Sequence, residues 1–184
     1  MLEGEEQHIG CRKKPDQTLV INNCYDLLSP NERRGSETGI SRAIQQLKSK
    51  GDYNKKSSNK KQNKIIILGD SHTRGCAQEV QHNLGHNFEV QRIVKLGANT
   101  EVIVNTSPNI IRKFTKKGVV VVWGGTRDVG RNETKKGLYK MKNFVSNHNQ
   151  TNVIVMSVPC RYDLDPKSFV NDEVKMYNRN LKNI

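Results

Sequence analysis

Four segments of this chain carry residue types that could do chemistry, and each follows an apolar run. Ile65-Ile66-Ile67-Leu68 ends in Gly69-Asp70-Ser71-His72. Ile93-Val94 is followed by Leu96-Gly97-Ala98-Asn99-Thr100, and Val119-Val120-Val121-Val122-Trp123 by Gly124-Gly125-Thr126-Arg127-Asp128. The fourth, after Val153–Val158, is Pro159-Cys160-Arg161-Tyr162-Asp163-Leu164. A serine at the carboxyl end of a buried strand offers a hydroxyl nucleophile, and glycines let backbone amides approach a ligand closely. The plain alternative for Ser71 is a helix N-cap. Asp70 is expected to organise the turn, and Asp128 to bond loop amides. Arg161 and Asp163 are expected to form a loop ion pair, and Trp123 to serve packing.

The elements that must position these loops alternate. Strands are expected at Ile65–Leu68, Phe88–Val94, Val119–Trp123 and Val153–Val158. Helices are expected from Thr73 to about Leu84 with Gly85 as the stop, from Ser107-Pro108 to Gly118, over Thr134–Asn147 and over Asn171–Lys182. Short apolar strands alternating with helices predict an α/β fold with a mainly parallel sheet covered on both faces. In such folds, ligands bind where the strand carboxyl ends open.

Composition divides the chain. Residues 1–63 read as a disordered linker segment with one short helix near 38–48, and 64–184 as the folded domain. Twelve Lys/Arg stand against eight Asp/Glu before position 63, and nineteen against ten from there on, within a net charge of +13. The basic excess therefore belongs mainly to the folded part. A polyanion such as nucleic acid is a possible partner on charge alone, although no base-stacking aromatic signature accompanies it. Cys11, Cys24, Cys76 and Cys160 are far apart and lack zinc spacing. The pairs His72/Cys76 and His82/His86 have no completing carboxylate, so neither a metal nor another cofactor is expected. The acidic start lacks a signal-peptide core, and no apolar run approaches a membrane span, which points to an intracellular, cytoplasmic chain with no membrane partner.

Taken together, the four loops resemble the SGNH (GDSL-type) hydrolase family over 64–184. The Val158-Pro159-x-Arg161-Tyr162-Asp163-Leu164 segment and the Val170-Asn171 helix look closest to a subgroup common in insect genomes. Similar domains occur in the first open reading frame proteins of some non-LTR retrotransposons. The resemblance implies a flavodoxin-like three-layer α/β/α fold and a serine esterase acting on a small ester substrate. Ser71 takes the position of the nucleophile, and its own amide and that of Gly97 those of two oxyanion donors. Arg127 stands where the family has the oxyanion asparagine, with Asp70 and Asp128 in support.

The resemblance also implies an Asp-x-x-His block supplying the acid and base, and no such block occurs after Val158. The histidines are His8, His72, His82, His86 and His148. Adjacent side chains at a helix start diverge, so His72 is not expected to serve Ser71. The expectation is thus a C-terminally truncated, weakly active or inactive esterase domain with an open sheet edge where a fifth strand would lie. The alternative is a basic, retroelement-derived accessory domain that binds nucleic acid without sequence preference.

Overall fold

A computed structural model describes residues 19–21, 63–106 and 108–184. The short helix expected near 38–48 and the Ser107 cap lie outside these residues. Along the chain the elements are β1 (Leu19–Ile21), β2 (Asn63–Gly69), a 3₁₀ turn (Ser71–Thr73), α1 (Cys76–Leu84) and β3 (Phe88–Val94). There follow α2 (Thr100–Val104), α3 (Pro108–Ile111), β4 (Val119–Trp123), α4 (Thr126–Gly130), α5 (Thr134–Asn147), β5 (Asn152–Met156) and α6 (Phe169–Leu181). The described strands form one parallel sheet in the order β1-β5-β4-β2-β3.

Alternation within the strands explains the layers. Ile66, Leu68, Val120, Val122, Val153 and Val155 face one side, packed with Met141 and Phe144 of α5 and with Val174, Tyr177 and Leu181 of α6. Their neighbours Ile65, Ile67, Val119, Val121, Ile154 and Met156 face the other, with Cys76, Ala77 and Val80 of α1. Both faces are thus apolar, which is why these strands read as unbroken Ile/Val runs rather than as alternating ones. Each such side chain, removed from water, stabilises the fold by about 1.5–3 kcal/mol before entropy is counted. The three-layer α/β arrangement is the one expected.

Register does the rest. Gly69 pairs with both Val94 and Trp123, and Trp123 with Met156, so four strands end on one line. Every loop singled out in the sequence therefore leaves the same edge of the sheet.

Several expectations need correction. The helix expected from Thr73 starts only at Cys76, because Gly75 turns the chain at φ +81°. The helix expected from Pro108 to Gly118 ends at Ile111, and α2 and α4 form within segments read as loops. Ending α3 early lets Phe114 come back to be buried, with Gly118 packed against its ring. Nor is the sheet edge beside β5 open: Leu19–Ile21, in the segment read as linker, pairs in parallel there, Leu19 opposite Ile154 and Ile21 opposite Met156.

Candidate active site

At the end of β2 the chain makes a tight polar turn. Asp70 is only 4% exposed. Its backbone carbonyl accepts from the Thr73 amide at 3.2 Å and hydroxyl at 2.8 Å. Its carboxylate Oδ1 accepts from the His72 amide at 3.0 Å, capping the 3₁₀ turn, and from His72 Nδ1 at 2.8 Å. The turn leaves Ser71 exposed to solvent. Among the described residues no hydrogen bond holds Ser71 Oγ, so its hydroxyl is free to meet a ligand.

His72 is more than a passenger. Its ring lies near that of Trp123, with centroids 6.2 Å apart. The Asp70 hydrogen bond raises the imidazole pKa above its ordinary 6.5; burial pulls it down, and the Asp70 charge adds to the rise. With Nδ1 tied to a carboxylate, Nε2 is the nitrogen left to take a proton in the neutral ring.

The loop after β3 contributes Gly97 at φ +61°, a left-handed conformation that glycine adopts without strain. A Cβ at Gly97 would lie 3.9 Å from an Arg127 guanidinium nitrogen, so the arginine reaches across to this loop. Ser71, Gly97 and Arg127 line one open cleft of about 280 Å³, together with His72, Thr126 and Arg131. Three of the four strand-end loops meet there. The loop after β5 does not line it. That loop is held instead by Asn171, which brackets Arg161 and donates to the Asp165 carbonyl, and by Asn178, which brackets Val158. Arg161 and Asp163 form the two-pronged ion pair, exposed to solvent, and the arginine holds Asp163 down at about 2.

Asp128, next to Arg127 in sequence, turns the opposite way. It is 1% exposed, and its Oδ2 accepts from both the amide and the hydroxyl of Thr100 at 2.8 Å. Asp128 therefore braces the loop after β3 from below while Arg127 projects above it. Gly125 makes room for this floor: it sits at φ +119°, and a Cβ there would meet Val158 at 2.7 Å and the Tyr177 hydroxyl at 2.8 Å. Burial pushes the Tyr177 phenol up to about 12.

Two features escaped the sequence reading. The Asp70–His72 pair was legible as an aspartate two residues before a histidine at a turn, where an Asx cap brings the second side chain under the first. Arg131 was legible as the fourth residue after Arg127, one helical turn along. The remaining described histidines lie outside this cleft. His148 Nδ1 donates to the Phe144 carbonyl at the far end of α5, and His82 and His86 are exposed near the end of α1.

No family model matches the chain, and no curated protein matches it. Solved structures do. A member of the lipolytic protein G-D-S-L family from Veillonella parvula matches at a TM-score of 0.54 and 15% identity, over 65% of this chain and 70% of that one. A lipase from a goat rumen metagenome matches at 0.53 and 14%, over 66% and 75%. The chain thus shares the α/β fold of these lipolytic proteins at low sequence identity. No helix among the described residues is long and apolar enough to cross a membrane.

Proposed function

We propose that this cleft hydrolyses small esters, with Ser71 as nucleophile. The observation that carries the reading is the meeting of an exposed serine hydroxyl, without a hydrogen bond among the described residues, with Gly97 and the Arg127 guanidinium in one cleft at the strand ends. The Ser71 oxygen would attack the ester carbonyl, and the carbon–oxygen bond to the alcohol would break. The serine's proton would leave on that alcohol, and water would then release the acid. Negative charge gathers on the carbonyl oxygen in the transition state. The donors this reading assigns to it are the Ser71 and Gly97 amides and, in place of a neutral amide side chain, the charged Arg127.

On this reading any turnover is weak. A serine hydroxyl at neutral pH needs a base to take its proton. His72 shares the cleft, but no hydrogen bond joins it to Ser71 among the described residues. Losing a triad member costs on the order of 10⁴–10⁶ in rate, and what survives comes from the oxyanion donors and binding. Slow turnover of p-nitrophenyl acetate that disappears in Ser71→Ala is the expected result. Equal rates in the two proteins would refute the assignment. The fold of the lipolytic structures and the Gly-Asp-Ser turn support this reading, and the Arg161-Tyr162-Asp163-Leu164 segment supports placement in the subgroup common in insect genomes and in retrotransposon proteins.

Nucleic-acid binding is the second reading, and it rests on the net charge of +13. It predicts an affinity that falls steeply with salt and does not change in Ser71→Ala.

A further inference from the structure

The cleft holds two positive side chains, and only one of them has a place in ester hydrolysis as such. Arg127 and Arg131 both line it and both are exposed. Neither forms an ion pair among the described residues. Lys136 and Lys140 are tied to Glu101, Arg161 to Asp163, and Lys175 to Asp172. The two aspartates of these loops are already engaged. Asp70 is buried and holds His72, while Asp128 is turned inward to Thr100. Two guanidinium groups without an ion pair among the described residues thus stand in one concavity beside the Ser71 hydroxyl. Asp70 also lines the cleft but is buried and bonded to His72, so the exposed charge of the concavity is that of the two guanidiniums, and such an excess concentrates the opposite charge. The planar fork of arginine matches carboxylate and phosphate oxygens two at a time.

We infer that the cleft accepts esters bearing a second, anionic oxygen group, a carboxylate or a phosphate, and that Arg131 selects for it. The ester half of this inference rests on the hydrolysis proposed above; the anion site does not. The reacting carbonyl sits over Ser71 and Gly97 beside Arg127. The anionic group reaches past the end of α4 toward Arg131, roughly 6 Å farther on for four residues at helical rise. Arg131 suits such a role because its side chain makes no hydrogen bond among the described residues, so truncating it removes a binding group and no structural bond.

The test uses the full chain at low salt, titrated separately with inorganic phosphate and with succinate while the backbone amide signals of Gly97 and Gly130 are followed. Wild type and Ser71→Ala are expected to bind alike, and Arg131→Ala about tenfold more weakly, the loss of one charge-assisted contact. The anion bound more tightly identifies the group. No shift with either anion, or equal affinity in wild type and Arg131→Ala, overturns the inference. Activity supplies an independent arm. Preference for p-nitrophenyl hemisuccinate over the acetate should fall about tenfold in Arg131→Ala. Unchanged preference alongside turnover that needs Ser71 leaves the hydrolase standing and removes the anion site. Anion binding that needs Arg131, with no ester turned over, does the reverse.

Discussion

Arg127 and Asp128 are adjacent in sequence and belong to opposite regions of the molecule. Above α4 lies a rim of exposed, uncommitted groups: Ser71, Arg127 and Arg131. Below it lies a buried floor, in which Asp128 is bonded to Thr100 beside Gly125 and the Tyr177 ring. The difference separates what chemistry needs from what chemistry stands on. A polar group useful to a ligand must have spare hydrogen-bonding capacity, which is affordable only in contact with water. A polar group out of water must be satisfied, and once satisfied it fixes geometry.

Substitutions in the floor should therefore cost stability, and those in the rim should cost function. The largest effect is expected for Gly125→Ala. A side chain at φ +119° is strained, and its Cβ meets Val158 and Tyr177 at under 3 Å. Together these cost about 4 kcal/mol, seen as a large fall in the midpoint of thermal or urea unfolding. Asp128→Ala strands two buried Thr100 donors and should cost about 3 kcal/mol. An Asp128→Ala protein as stable as wild type would erase the distinction between the two regions. Ser71→Ala should leave stability within about 0.5 kcal/mol while abolishing turnover.

The Asp70–His72 pair lies on the boundary, since one partner is buried and the other is not. Here the sign of the pH effect is definite. His72 is held above 6.5 by its bond to Asp70, so the protonated pair favours the folded state. That contribution is fully present below pH 6.5 and is lost as pH rises through the folded-state value. An NMR titration should place the His72 midpoint above 6.5 in wild type and lower in Asp70→Asn, where burial is left to act with less opposition. The same midpoint in both proteins would mean that the hydrogen bond does not control the ring. The smallest effect is expected for Arg161→Ala: its pair with Asp163 is exposed, so thermal unfolding should not shift measurably.

The floor was harder to read from the sequence than the framework. Unbroken Ile and Val runs announce buried parallel strands, and the four apolar segments were legible because no other arrangement hides them. The loops at the strand ends were legible as places, since Gly-Asp-Ser and Gly-Gly-Thr interrupt those runs abruptly. What joins them was not, because a contact such as Asp128 to Thr100 spans 28 positions with no local pattern to mark it. The short helices α2 and α4 were missed for a related reason. Five residues carry too little periodicity to show, and these turns are set by the loops they close. The strand at Leu19–Ile21 was missed because three apolar residues in a polar segment gain order only from the sheet edge they meet.

Reaction with a fluorophosphonate, followed by mass-spectrometric mapping of the modified peptide, tests the central claim most directly. If the cleft activates its hydroxyl, the adduct forms slowly and on Ser71, with Ser146, also exposed but on the helix α5, left untouched. Labelling of both serines to the same extent, or of neither, would contradict it.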